Sequence, residues 1–297
     1  MKTGLRFSIT LSTRKKIIGW IFVIPASLLI FIFSFYPIIR SLILSFHSGL
    51  GSNMSFVGLY NYKRIFEDTL FHTSLANVFI YLFLQVPIML ILALILASIL
   101  NDHNLKFRGF FRTAIFIPCA TSLVAYAIIF RSLFELDGVV NAVLMKFNLI
   151  SSPINWLGES WPARILIVIA LTWRWTGYNT IFYMAGLRNI DPAVYEAAEI
   201  DGAGPLARFT RITVPLLKPI ILLTAIVSTN STLQLFAEPQ NLTNGGPANA
   251  TLSVAQYIYR LSFEYVPRFG YAAAIAIGIC IFVAILSDIQ MKVSDER

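Results

Sequence analysis

Apolar residues in this chain come in long unbroken runs, where a soluble fold would show short amphipathic stripes. Stretches free of Asp, Glu, Lys and Arg cover residues 17–39, 69–101, 113–130, 219–237 and 269–287, and a sixth, 165–187, is interrupted only by Arg174. Each is long enough to cross about 30 Å of hydrocarbon as a helix rising 1.5 Å per residue. The pattern predicts an all-α polytopic membrane protein with six transmembrane helices over about 17–46, 73–100, 113–134, 164–187, 219–237 and 269–290. Residues 1–16 and 291–297 are then terminal tails, and 188–218 is the longest polar connection.

Composition agrees: of 297 residues, 57% are hydrophobic and 13% charged, against about 25% charged in soluble domains. The net charge of +8 could suggest nucleic acid, but the basic residues sit between the apolar runs. Fourteen Lys and Arg fall on the side that holds both tails and the 188–218 loop, against five on the other side. Both termini are therefore expected to be cytoplasmic, with lipid and not nucleic acid as the surroundings. The first run, from Ile17 past Tyr36, exceeds the 7–15 residues of a signal h-region and lacks a small-x-small cleavage pattern, so it is expected to stay in the mature chain.

Enzymatic chemistry is not legible. No G-x-x-x-x-G-K-S/T, H-E-x-x-H or G-x-S-x-G occurs, and His47, His72 and His103 are far apart in sequence, so no nucleotide, metal or cofactor site is expected. Cys119 and Cys280 both fall in apolar runs and suggest neither a disulfide framework nor a metal site. A channel, a transporter, a receptor or an assembly subunit remains, and the polar loops have to say which.

The 188–218 loop is not a flexible linker. Asp191 before Pro192 reads as an N-cap with a first-turn proline, 193–200 favours helix, and Gly202 can supply the positive φ that ends it. A second short helix is expected from about Pro205 to Val214, with Pro215 and Pro219 marking its junction with the next span. Small apolar Ala193, Val194, Ala197, Ala198 and Ala203 alternate with Glu196, Glu199 and Asp201, a compact face rimmed by acids that suits a partner's cleft lined with arginines. An acidic helix lying on anionic lipid is the less favourable alternative.

The motif Glu196-Ala197-Ala198-Glu199-Ile200-Asp201-Gly202-Ala203, with Phe209, Ile212 and Pro215 behind it, resembles the coupling signature of inner-membrane permeases of binding-protein-dependent ABC importers, in particular the maltose-type carbohydrate permeases. Phe56-Val57-Gly58-Leu59 with Asn61-Tyr62, the basic Lys106–Arg112 segment, and Leu242-Thr243-Asn244-Gly245-Gly246-Pro247 are similar to other signatures of that family, in the same order. Unlike the best-known maltose permease subunit, the sequence shows no large extracytoplasmic insertion and no extra helices before the first run. The resemblance implies a type I ABC importer permease fold, without nucleotide chemistry of its own. It also implies a heterodimer with a second related permease subunit, two cytoplasmic ATP-binding subunits and an extracytoplasmic sugar-binding protein. Glu196, Ala197, Ala198, Asp201, Gly202 and Ala203 would form the ATPase-coupling element, and closure of the ATPases would rotate the helices as rigid bodies.

The fifth run carries Ser228, Thr229, Asn230, Ser231, Thr232 and Gln234 within a short interval, and such groups are not expected to face lipid. Ser228, Thr232 and Leu235 share one helical face, the face on which the resemblance implies sugar-binding positions. Ser228, Thr232, Asn230 and Gln234, with Trp175 from the fourth run, are the candidate substrate contacts, and Trp173 and Tyr178 are further aromatic candidates. Helix–helix hydrogen bonding is the competing role for the polar groups. Arg174 has no acid in its own run. It is expected either to pair with carbonyls or with an acid on the partner permease, or to serve as counter-charge for an acidic sugar. A non-sugar solute, or a non-transporting assembly role, is the alternative function, against which Gly245-Gly246-Pro247 and the polar cluster argue.

Overall fold

The structure, a computed structural model, describes residues 11–50, 53–102 and 105–295. Lys2, Arg6, His103 and Arg297 lie outside the described residues. Helix α1 (Leu11–Ile30) passes through a π turn (Phe31–Phe35) into α2 (Tyr36–Ser45), and an antiparallel hairpin of β1 (His47–Leu50) and β2 (Asn53–Phe56) follows, His47 facing Phe56. Then come α3 (Tyr60–Glu67), α4 (Thr69–Asn101), α5 (Arg108–Ala120), α6 (Leu123–Leu133), α7 (Val139–Lys146) and α8 (Ser160–Leu187). The remainder is α9 (Pro192–Ile200), α10 (Pro205–Arg208), α11 (Val214–Leu233), α12 (Ala237–Leu242), α13 (Val254–Tyr259) and α14 (Phe269–Asp295).

Among the described residues, four helical stretches are long and apolar enough to cross a membrane: Ile18–Ser45, Thr69–Asn101, Pro205–Leu233 and Phe269–Lys292. The pair α5 and α6 makes a fifth if it is one broken span, and its halves are bent by 100°. The expectation of one helix over 113–134 is thereby corrected. Pro118 has no N–H to give, Thr121 is extended, and its hydroxyl donates to the Ile117 carbonyl at 2.9 Å, so the helix stops at Ala120. Helix α8 has the length of a span, 28 residues, but carries Arg164 and Arg174.

The core is a pairing of α4 with α8. Met89, Ala93 and Ala97 of α4 pack with Tyr183 and Leu187 of α8 and Leu217 of α11, while Tyr126, Phe130 and Phe134 fill the space between α6 and Leu166 and Leu171 of α8. Small residues permit the closest approach: a Cβ on Gly177 of α8 would overlap the backbone carbonyl of Ile115 in α5. At the other end of α4, Asp68 caps the helix by accepting from the Leu70 and Phe71 amides. It also accepts the hydroxyls of Tyr257 at 2.6 Å and Tyr271 at 2.5 Å, tying α4 to α13 and α14. Burial raises the Asp68 pKa, but the four donors together outweigh it and hold the carboxyl below its ordinary value.

Prolines shape the helix ends through one repeated device. Tyr36 donates to the Phe31 carbonyl and Val214 to that of Phe209, and each such π turn ends two residues before a proline, Pro37 or Pro215. The widened turn accommodates a proline with no N–H for the carbonyl four residues back. The expected second loop helix is consequently not separate: α10 runs through the π turn Phe209–Thr213 into α11, and Pro215 and Pro219 lie within the continuous helix.

Candidate functional site

Helix α11 ends at Leu233, short of the expected 237, and Gln234, Leu235 and Phe236 are non-helical before α12 begins. Irregular backbone at this depth is tolerated where it lines a cavity, and a cavity of about 550 Å³ is found there. Its walls are Gln85 and Met89 at the middle of α4, Leu171, Arg174, Trp175, Tyr178 and Asn179 at the middle of α8, and Val227, Ser228, Ser231 and Thr232 of α11. The break itself contributes Gln234, Leu235 and Phe236, α12 adds Ala237 and Glu238, and Leu123 comes from α6. Hydroxyls, amides and three aromatic side chains, Trp175, Tyr178 and Phe236, thus converge on one space, the chemistry of a polyhydroxylated ligand.

Four of the five candidate contacts meet in this cavity: Ser228, Thr232, Gln234 and Trp175. The fifth does not. Asn230 is turned toward α14, where its Oδ1 accepts the Ser287 hydroxyl at 3.1 Å, and its neighbour Thr229 accepts from Gln290 at 3.4 Å. Residues two apart on a helix point to nearly opposite sides, so the polar run serves two purposes, cavity on one face and helix contact on the other. Thr232 is 6% exposed and its hydroxyl donates to the Ser228 carbonyl at 2.9 Å. Trp173 is also elsewhere, stacked on Tyr126 with ring centroids 5.9 Å apart. Ser231, part of the polar run already singled out, lines the cavity as well, whereas Gln85, Asn179 and Glu238 were not among the candidates. A lone glutamine inside a 33-residue apolar helix is the signal that could have found Gln85.

Arg174 lines the cavity with its Cζ 5.2 Å from the Tyr126 ring centroid and 5.6 Å from that of Trp175. Its Nε and Nη1 are buried and have no hydrogen-bond partner among the described residues. The acid expected on a partner permease has a counterpart in this chain: Glu238, 4% exposed, lines the same cavity and accepts the Trp175 indole N–H at 3.4 Å.

The loop between α8 and α11 presents the second candidate surface. Asp191 caps α9 by accepting the Ala193 amide at 3.0 Å. Gly202, at φ +78°, closes the helix, with the Ala203 amide donating to the Ala198 carbonyl at 2.9 Å. Glu196, Ala197, Asp201 and Gly202 are exposed, and Ala198 and Ala203 are half-buried. Glu199 pairs with Arg208 at 3.2 Å across the glycine turn, and Tyr195 exchanges a hydroxyl hydrogen bond of 2.9 Å with Thr213, fixing α9 to the base of α11. Ile200 at 88% and Leu206 at 75% exposure add an apolar tip that sequence reasoning passed over.

The family described as binding-protein-dependent transport system inner membrane component is matched over residues 71–297. The chain belongs to this family. It is 51% identical to the lactose transport system permease protein of Rhizobium radiobacter over 281 residues, 94% of either chain. It is 37% identical to the arabinooligosaccharides transport system permease protein of Bacillus subtilis, over 94% of this chain and 89% of that one. A solved bacterial ABC transporter involved in the import of the acidic polysaccharide alginate contains a chain that superposes with a TM-score of 0.85 at 22% identity, covering 96% of this chain and 97% of that one. The fold is that of the type I ABC importer permeases.

Proposed function

We propose that the chain is the transmembrane permease subunit of an ATP-driven importer of a sugar or oligosaccharide, forming half of the translocation pore. The observation that carries this reading is the 550 Å³ cavity of hydroxyl, amide and aromatic side chains built around the break after α11, on the same helix whose base holds the exposed α9. The names of the relatives, permeases for lactose and for arabinooligosaccharides, support a carbohydrate substrate. In this reading a second related permease supplies the other half of the pore, two cytoplasmic ATP-binding subunits receive α9, and an extracytoplasmic binding protein delivers the sugar. Counting α5 with α6 as one span and α8 as another gives six, with both termini cytoplasmic in the inner membrane.

Glu196, Ala197, Ala198, Asp201, Gly202 and Ala203 then form the coupling surface. The small side chains let α9 enter a cleft, Glu196 and Asp201 meet basic groups on its rim, and Gly202 keeps the turn tight. The test is ATP-dependent uptake of radiolabelled neutral oligosaccharides by vesicles holding the complete complex, together with co-purification of the ATPase. The expected result is uptake that is lost in Glu196→Lys and in Gly202→Val while the permease stays in the membrane. Full uptake by Glu196→Lys with normal ATPase retention overturns the coupling assignment.

A further inference from the structure

Arg174 and Glu238 are the two described residues lining the cavity that carry formal charge, and their charges are opposite. They do not neutralise one another by contact. The salt bridges among the described residues join Arg208 to Glu199, Arg260 to Glu264 and Lys292 to Asp288, and none joins Arg174 to Glu238. Arg174 keeps two buried nitrogens without partners, and the carboxylate of Glu238, nearly inaccessible, receives one long bond from Trp175.

We propose that Arg174 and Glu238 form a charge-compensated couple that selects a neutral sugar, reading its hydroxyl groups from both sides and rejecting acidic sugars. The inference rests on the importer reading above and narrows its substrate class. A guanidinium can only donate hydrogen bonds and a carboxylate can only accept them, whereas a hydroxyl does both. A sugar hydroxyl, or a vicinal pair, can satisfy Arg174 and Glu238 together. A uronate would satisfy Arg174 but set a second negative charge against the nearly buried Glu238, and an amino sugar would set a second positive charge against Arg174. Trp175 couples the two roles: its ring lies beside Arg174, and its N–H holds Glu238 in place. An unpaired arginine would by itself suggest an anionic ligand; the buried acid in the same wall removes that demand.

The experiment uses the complete complex in membrane vesicles. Uptake per assembled complex is measured for neutral oligosaccharides (lactose, maltose, arabinobiose) and for digalacturonate as the acidic one. The unmutated complex is expected to carry a neutral sugar and not digalacturonate. Arg174→Gln and Glu238→Gln each leave one buried charge uncompensated and are expected to lower uptake of the best neutral sugar at least about tenfold. The double variant, neutral and still able to hydrogen-bond, recovers to within about threefold of the original complex, because the penalty lies in the imbalance and not in either side chain alone. Preference for digalacturonate, unaltered uptake in both single variants, or a double variant no better than the worse single overturns the proposal and leaves the importer reading standing. Loss of assembly in both single variants that the double does not repair assigns the pair a purely structural part and also overturns it. Absence of uptake of every sugar by the unmutated complex overturns the importer reading and this proposal with it.

Discussion

At the scale of single residues, one polar run is divided between two tasks by helical geometry. Ser228 and Thr232 face the cavity, and Asn230 faces Ser287 of α14. Ser228→Ala and Thr232→Val are expected to lower uptake by about 2- to 13-fold, the equivalent of one hydrogen bond of about 0.5–1.5 kcal/mol, with assembly unchanged. Asn230→Ala is expected to do the opposite, lowering detergent stability by a similar energy while transport per intact complex stays normal. Measuring both properties on all three variants checks the division. Asp68 carries a pH dependence of known sign. Its carboxyl is held below the ordinary value of 3.8 by its hydroxyl and amide donors, so its contribution is complete above that value and is lost as pH falls through the lower folded pKa. Protection of the Leu70 and Phe71 amides against hydrogen exchange, taken relative to the intrinsic rate at each pH, should stay high at neutral pH and fall only at strongly acidic pH. In Asp68→Ala protection of both amides should already be lower at neutral pH, by a capping loss of about 1 kcal/mol. Arg174 marks the limit of what the sequence could tell at this scale. Its depth in an apolar run announced a cavity or a partner, but Glu238 is distant in sequence and only the folding of α12 against α8 brings it to the same wall.

At the scale of elements, local chemistry was a good guide where the backbone alone decides and a poor one where packing does. The Asp191 cap, α9 and the positive φ of Gly202 were legible because each follows from the conformational preference of its own residues. The break after Ala120, the early end of α11 at Leu233 and the passage of α11 through Pro215 were not. An apolar run reads the same whether its helix is straight, bent or interrupted, and the prolines gave no sign of which would stop a helix and which would ride inside one behind a π turn. The coupling of α9 to α11 is likewise a tertiary contact, the 2.9 Å bond between Tyr195 and Thr213. If α9 transmits ATPase closure to the cavity through the base of α11, Tyr195→Phe should leave ATPase retention intact. Uptake per ATP hydrolysed should fall by about 2- to 13-fold for one lost hydrogen bond. An unchanged ratio of uptake to hydrolysis would mean that the Glu199–Arg208 pair and the backbone of the glycine turn suffice to hold α9.

At the scale of the whole molecule, the first long helix stands apart from the body. The apolar segment within Ile18–Ser45 has no buried residues, and this stretch meets the rest of the chain through α2, which packs on α14, and through the hairpin behind it. Burying apolar side chains is worth about 25 cal/mol per Å², so a helix this exposed and this hydrophobic belongs in lipid or against a partner's helices. That placement, with the excess of basic residues on one side, fixes the expected topology. Single cysteines at Asn148, between α7 and α8, and at Asn244, after α12, should label with a membrane-impermeant thiol reagent added from outside, because both residues are exposed. A cysteine at Thr210, exposed beside α10, should label only after the membrane is opened. Cys119 and Cys280 are replaced by alanine beforehand, since Cys280 is exposed and would otherwise contribute background wherever the reagent enters the bilayer. The bent pair α5 and α6 gives the experiment its force. If its halves form a re-entrant loop that returns to the cytoplasmic side and α8 does not cross either, Asn148 joins Thr210 in the protected class while Asn244 stays accessible. If they form one span despite the 100° bend, Asn148 labels from outside. External labelling of Asn148 and Asn244 with protection of Thr210 fits six crossings; protection of Asn148 together with Thr210 would remove both the α5–α6 pair and α8 from the count and leave the four crossings of Ile18–Ser45, Thr69–Asn101, Pro205–Leu233 and Phe269–Lys292.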